Sequence, residues 1–181
     1  DRSADVAKAA WDIVNSKSFD CSVICATEQA VVADKPIAAQ LKAEMERHGA
    51  YFINEEQAAA LGRTLFGGGQ LINPKTVGKT PQQLAAMARI SVPAWARILV
   101  GRLSKVGPDE PLSAEKLTTV LGWYEVDEEG NLVRRTAADG TEWAFRWRMD
   151  GTLREITSPD GRVLRFEYDA LGRRVRKSVL R

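Results

Sequence analysis

Over the first two-thirds of the chain, apolar residues recur at helical spacing, break off, and resume as short continuous runs. Val6, Ala9, Ala10, Ile13 and Val14 return every three to four positions, and this predicts a helix over residues 5–14. A buried strand is expected at 29–33. Asp34 is placed to cap the next helix, with Pro36 in its first turn, Ile37, Leu41, Met45 and His48 along one side, and Gly49 at its end. Residues 51–53 read as a short strand. Asn54 caps a helix from Glu55 to about Phe66, which Gly67-Gly68-Gly69 breaks. Thr80-Pro81 opens a further helix carrying Leu84, Ala85 and Met87. A strand over 97–100, a loop holding Gly107, Pro108 and Pro111, a short helix over 113–117 and a strand over 119–126 complete this part. Strands alternating with helices predict an α/β layer structure.

After Val126 the pattern changes. Gly130, Gly151 and Gly172 stand twenty-one residues apart, and Gly140 and Gly161 keep the same interval. Two units read Gly-x-Leu-x-x-x-Thr-x-x-Asp-Gly followed by an aromatic strand: Trp143 to Trp147 in one, Val163 to Tyr168 in the other. Asp-Gly between alternating runs is a tight-hairpin signal, because glycine accepts positive φ. Phe166 and Tyr168 alternate with Arg165 and Glu167, so aromatics and charges fall on opposite faces. A β-hairpin array built on an internal repeat is expected.

The 181 residues allow one domain or two small ones, and an apolar fraction of 44% is that of a globular chain. A net charge of +2 gives no reason to expect nucleic acid or an anionic membrane as partner. The arginines after Val126 are interleaved with aspartates and glutamates, which reads as a solvated face of mixed sign. No run is apolar for long enough to span a bilayer. Two cysteines, Cys21 and Cys25, do not make a disulfide scaffold, and a reduced, cytoplasmic setting is expected. His48, the one histidine, reads as a helix-end residue favoured by the dipole. No metal site is expected. Gly78-Lys79-Thr80 does not make a phosphate loop, since Asn73 stands where the first glycine is needed and Pro81 removes a donor.

Cys25 is the candidate nucleophile. A thiolate adds readily to an aldehyde carbon and later departs readily from a thioester. On its residues alone the run admits a second account, a small buried hydrophobe.

The run Ser16-Lys17-Ser18-Phe19-Asp20-Cys21-Ser22-Val23-Ile24-Cys25-Ala26-Thr27-Glu28-Gln29 resembles the catalytic-cysteine segment of CoA-acylating aldehyde dehydrogenases. Asn73-Pro74-Lys75-Thr76-Val77-Gly78-Lys79, Ile90-Ser91-Val92-Pro93 ahead of Arg97-Ile98-Leu99-Val100, and Pro111-Leu112-Ser113 with Glu115-Lys116-Leu117 are similar to later motifs of that family. The resemblance covers about residues 5–126. It implies a partial aldehyde-dehydrogenase-like catalytic subdomain over 1–126, NAD and CoA as cofactor and co-substrate, an aldehyde substrate, and Cys25 as acyl carrier. Cys21-Ser22 stand where the family has Asn-Gly, and Cys21 is expected to be structural or incidental. Glu28 is expected to orient the loop. The family's dinucleotide-binding domain precedes the cysteine segment and no Gly-x-Gly-x-x-Gly occurs here in a strand–turn–helix setting, so the chain is expected to lack that domain and to be inactive alone.

From Asp127 to Arg181 the glycine-paced runs resemble RHS/YD repeats, which implies a small antiparallel β-hairpin repeat with a structural role. An open array of this length leaves strand edges for self-association or a protein partner. A second functional reading follows: a structural or interaction protein with a vestigial enzyme segment.

Overall fold

A computed structural model describes residues 3–67, 71–103, 110–127, 131–136, 141–148 and 152–180. Helix α1 (Val6–Ser18) starts where the Asp5 carboxylate accepts the Lys8 N–H at 3.0 Å. Strand β1 (Ala30–Asp34) runs directly into α2 (Lys35–Arg47), whose end is His48, as expected. Asp34 precedes α2 but its side chain caps nothing; Pro36 in the first turn removes an N–H that would need a partner. Strand β2 (Ala50–Ile53) leads to α3 (Glu55–Phe66), closed at its start by a reciprocal box. There the Asn54 side chain accepts the Gln57 N–H at 2.9 Å, and the Gln57 side chain accepts the Asn54 N–H at 3.0 Å. Thr80 and Gln83 repeat the arrangement at α4 (Pro81–Ala88). Gly67 ends α3 in a left-handed turn; Gly68 and Gly69 lie outside the described residues.

Strands β3 (Ile98–Arg102) and β4 (Val120–Val126) complete a sheet of order β1-β4-β3-β2, parallel throughout. A parallel sheet buries both faces, and its strands accordingly read as continuous apolar runs. On one face Val6, Ala10 and Val14 of α1 and Leu41 and Met45 of α2 close over Val31, Ile98, Val100 and Trp123. On the other, Leu61, Leu65 and Phe66 of α3 and Leu84 of α4 close over Leu99 and Val120.

Paired glycines, Gly101 and Gly122, open a furrow in the second face. A Cβ on Gly101 would lie 2.5 Å from the Leu112 side chain, and one on Gly122 would lie 2.9 Å from the Leu112 carbonyl oxygen. The 3₁₀ turn Pro111–Ser113 therefore rests directly on the sheet. This replaces the short helix expected over 113–117: residues 115–117 are not helical, and Leu117 takes φ 46°. Gly107 and Pro108 lie outside the described residues.

The second sheet is antiparallel, of order β5-β6-β7-β8-β9, with β5 (Arg134–Thr136), β6 (Glu142–Trp147), β7 (Leu153–Thr157), β8 (Val163–Tyr168) and β9 (Arg174–Leu180). The repeat is visible in the bonds that close its turns. Asp127, Arg148 and Asp169 each donate a backbone N–H to the carbonyl four residues on, at 3.0, 2.9 and 2.9 Å. Asp160-Gly161 does not form the two-residue hairpin that the dipeptide suggests. The Ser158 N–H bonds the Arg162 carbonyl across a three-residue loop, with Gly161 at φ 80°. Gly130, Asp139-Gly140 and Gly151 lie outside the described residues. The mixed-sign face is a ladder: Glu155 of β7 holds Arg165 of β8 at 2.7 Å and Arg146 of β6 at 3.9 Å. Arg165 donates to the carboxylate and keeps its pKa below the ordinary glutamate value. Phe166 is buried on the opposite face. Among the described residues no helix is long and apolar enough to cross a membrane, and no metal-binding cluster of His, Cys, Asp or Glu occurs.

Candidate active site

The end of α1 sets the position of the cysteine segment. Arg97, ahead of β3, reaches back with its guanidinium to the Asn15 side chain and the Ser18 hydroxyl, both at 2.8 Å, and to the His48 carbonyl at 3.2 Å. The chain then leaves the helix through three consecutive non-glycine residues in the left-handed region: Asp20 (φ 46°), Cys21 (φ 52°) and Ser22 (φ 62°). This conformation is uncommon for residues with a Cβ and requires compensating contacts. Two are visible. The Val23 N–H bonds the Asp20 carbonyl at 3.2 Å. Ser22, fully buried, shares a 2.6 Å hydrogen bond with the Thr27 hydroxyl.

Between Ser22 and Thr27 the chain makes a turn closed by the Thr27 N–H on the Ile24 carbonyl at 3.1 Å, and Cys25 sits inside it. Its side chain is exposed; Val23 and Ile24 beside it are exposed too. The buried-hydrophobe account of Cys25 therefore fails on burial. Cys21 is half-buried at the strained entry, and both cysteines are free thiols. Among the described residues the Cys25 N–H donates to no other group.

Beneath the turn lies a buried polar cluster. Gln29 spans the turn exit: its amide nitrogen donates to the Thr27 carbonyl at 3.2 Å and its amide oxygen accepts the Lys116 N–H at 3.1 Å. The Lys116 ammonium, fully buried, donates to the carbonyls of Gln29 (3.0 Å), Leu112 (2.7 Å) and Ala114 (2.7 Å). Lys17 of α1 is also fully buried, and its Nζ has no hydrogen-bond partner. Burial lowers Lys17 to a pKa of about 8 against the pull of the Glu28 carboxylate, and lowers Lys116 to about 7 with help from the like charge on Lys17. Glu28 Oε2 and Thr118 Oγ1 are buried without partners as well. Glu28 acts on Lys17 through its charge and not through a hydrogen bond. Lys17, Gln29, Lys116 and Thr118 are not candidates on sequence. A signal for Lys17 exists, since the buried stripe of α1 runs Val6, Ala10, Val14 and then Lys17.

The loop after Val77 packs on this turn. A Cβ on Gly78 would lie 3.0 Å from Val23 Cγ2, and the Gly78 N–H is given to the Leu117 carbonyl at 3.1 Å. The Thr80 hydroxyl caps α4. The donors of Gly78-Lys79-Thr80 are thus engaged within the fold, and no phosphate loop forms there. Two surface depressions lie on the repeat sheet, one lined by Asp160, Gly161, Arg162 and Val179, the other by Arg148, Arg154, Arg165 and Glu167; neither includes Cys25.

The parallel sheet flanked by helices on both faces resembles that of solved aldehyde dehydrogenases. The chain is 38% identical over 135 residues to the aldehyde-alcohol dehydrogenase of Clostridium acetobutylicum, an alignment that covers 75% of this chain and 16% of that protein. It superposes on the acetylating aldehyde dehydrogenase of Geobacillus thermoglucosidasius with a TM-score of 0.66 and 41% identity, over 68% of this chain and 27% of that one. A propionaldehyde dehydrogenase of Rhodopseudomonas palustris, solved with bound CoA and an acylated cysteine, matches with a TM-score of 0.61 and 28% identity, over 68% of this chain and 28% of that one. The RHS Repeat family matches residues 149–179. The chain therefore carries a segment of the acylating aldehyde dehydrogenase family joined to an RHS-repeat segment. It spans from 16% to 28% of the length of these relatives.

Proposed function

We propose that residues 1–126 form the acyl-carrying segment of an acylating aldehyde dehydrogenase, and that Cys25 is its nucleophile. The observation that carries this reading is the exposed Cys25 side chain on a turn tied at Ser22–Thr27 and at Gln29. In the family reaction the cysteine adds to an aldehyde, hydride passes to NAD, and the resulting thioester is released to CoA. The residues around Cys25 fit the last of these steps. An open sulfur flanked by Val23 and Ile24 admits a bulky thiol, and since the acceptor is that thiol and not water, no base is needed to activate water. The Gly78-Lys79-Thr80 donors are engaged within the fold and offer no cradle for a dinucleotide phosphate, and no hydride step is derived.

The chemistry left to this segment is thioester exchange. The Cys25 thiolate attacks the carbonyl carbon of an acyl thioester. The carbon–sulfur bond to the donor breaks, the donor leaves as thiolate, and the acyl group stays on Cys25. The test is to incubate the full chain with a short acyl thioester and locate the acyl group by peptide mass spectrometry. We expect it on Cys25 in preference to Cys21, absent from Cys25→Ser, and no NADH formation when aldehyde, NAD and CoA are supplied to the chain alone. Equal, slow acylation of both cysteines would overturn the reading.

A second reading, a structural or interaction role for the repeat, is favoured by β9. This edge strand has β8 as its only neighbour among the described residues and exposes Val175, Val179 and Leu180. Sedimentation of the full chain against Val179→Lys would reveal self-association through that edge. Identical monomeric profiles would remove it.

A further inference from the structure

The buried lysines beneath the cysteine turn are not used by the acyl-transfer step. Lys116 brings together three carbonyls that belong to two separated segments: Gln29 at the exit of the cysteine turn, and Leu112 on, with Ala114 just after, the 3₁₀ turn seated over Gly101 and Gly122. Three acceptors match the three donors of an ammonium, whereas a neutral amine offers only two. We propose that Lys116 is a positioning residue for Cys25, a clamp that fixes the exit of the cysteine turn to the sheet. The proposal rests on the reading of Cys25 as nucleophile for its purpose, but not for its geometry.

The route from the clamp to the thiol is short and continuous. Lys116 Nζ and the Gly122 N–H (3.0 Å) both donate to the Gln29 carbonyl, and the Gln29 side chain holds the Thr27 carbonyl. Thr27 holds Ser22 through the paired hydroxyls. Both ends of the turn that presents Cys25 are thereby referred to one buried nitrogen.

The charges that act on this nitrogen come from every side. Lys17, from α1, opposes its proton. Glu110, ahead of the 3₁₀ turn, favours it. Glu28, on the turn exit, acts on Lys17 and favours the Lys17 proton. Lys17 Nζ and Glu28 Oε2 are both buried and both lack a hydrogen-bond partner, so their charges are not neutralised by direct contact. With Lys116 lowered to about 7 and Lys17 to about 8, the clamp loses its third donor as pH rises through neutrality.

The test follows two readouts on the full chain from pH 5.5 to 9.5. One is the rate of Cys25 alkylation by iodoacetamide, mapped by peptide mass spectrometry with Cys21 as internal reference and divided by the thiolate fraction. The other is amide hydrogen exchange of Lys116 and Gly122, whose N–H groups both bond Gln29, corrected for the intrinsic rate. In the wild type, protection of both amides and Cys25 reactivity per thiolate should change together, the latter about threefold, around a midpoint near 7. Lys17→Met removes the opposing charge and should move that midpoint upward by about half a pH unit or more. Lys116→Met should abolish the transition and lower protection at Gly122 about tenfold. If Lys116→Met does not fold, the shift in Lys17→Met still decides.

A flat profile, or a midpoint that Lys17→Met leaves in place, overturns the clamp. Should the amides respond while Cys25 labels no faster than Cys21, the clamp stands and the nucleophile assignment falls. Should Cys25 label preferentially while the amides stay indifferent to pH, the nucleophile assignment stands and the clamp falls.

Discussion

The hydroxyls of Ser22 and Thr27 meet at 2.6 Å in a fully buried position and close the turn on which Cys25 is displayed. Ser22 holds this bond at φ 62°, a backbone state that glycine adopts freely. Two opposing effects act at one residue: left-handed strain of about 1 kcal/mol and a buried hydrogen bond of similar size. Ser22→Gly should therefore leave stability within about 1 kcal/mol of the wild type. Ser22→Ala keeps the strain and orphans Thr27, and should cost about 1–3 kcal/mol. Urea denaturation of the three chains distinguishes them. An Ala variant as stable as the wild type would show that the hydroxyl pair contributes nothing, and an Ala variant as stable as the Gly variant would show that the left-handed backbone costs nothing.

Stability should rise with pH between neutrality and pH 10. Lys17 and Lys116 have folded pKa values of about 8 and about 7 against 10.5 for an ordinary lysine. Within that window the unfolded chain binds protons that the folded chain does not, so raising the pH favours the fold, by at most about 1.4 kcal/mol per pH unit for each lysine. The contribution is present above 10.5 and lost as pH falls through about 8 and then about 7. The direction is opposite to that of the third Lys116 hydrogen bond, because burying the charge costs more than that bond returns. Thermal melts from pH 6.5 to 9.5 should climb for the wild type and flatten for Lys17→Met. A falling profile would contradict both lowered values.

Gly122→Ala places a methyl group 2.9 Å from the Leu112 carbonyl oxygen, a backbone atom that cannot rotate away. The 3₁₀ turn would have to lift from the sheet, at a cost of about 1–3 kcal/mol. Gly67→Ala meets no atom within 4 Å, so only the left-handed backbone at φ 56° opposes it, at about 1 kcal/mol. Denaturation midpoints in that order support the seating of Pro111–Ser113 on the sheet. The reverse order refutes it.

In the repeat sheet, Arg165 holds the Glu155 carboxyl below its ordinary pKa of 4.5. A lowered carboxylate stabilises the fold above the unfolded value and loses that contribution as pH falls below 4.5 through the folded one. Acid titration followed by tryptophan fluorescence (Trp143 and Trp147 lie on β6) should show a transition below pH 4.5 that Arg165→Ala weakens. An unchanged transition would assign acid sensitivity to other carboxylates.

Much of the α/β layer is legible in the sequence because local and tertiary signals agree. Asn54 and Thr80-Pro81 mark helix starts in the sequence, and in space Gln57 and Gln83 complete each cap as a reciprocal box. The continuous apolar runs at β3 and β4 are the interior strands of a parallel sheet. The sequence misleads at Lys116 because Glu115-Lys116-Leu117 has helical propensity, while its conformation is dictated from a distance by the furrow at Gly101 and Gly122. Asp34 has the chemistry of a cap, but β1 enters α2 without the geometry that lets its carboxylate reach back. The position of Cys25 is legible through its neighbours; its exposure is not. Exposure depends on three left-handed residues, and non-glycine side chains at 20–22 give no warning of them. The twenty-one-residue period marks the turns of the second sheet. It does not mark the three-residue form of the loop at Gly161, because a left-handed glycine serves two-residue and three-residue hairpin loops alike.

The first turn of the repeat opens at Asp127, one residue beyond the end of β4, and β4 lies between β1 and β3. A force applied to the tail would therefore arrive along the axis of an interior strand and load the hydrogen bonds to both neighbours in shear, all together rather than one by one. The tail is anchored where the parallel sheet resists extraction best, and an optical-tweezer pull on the C-terminus should unzip the hairpins well before the sheet yields.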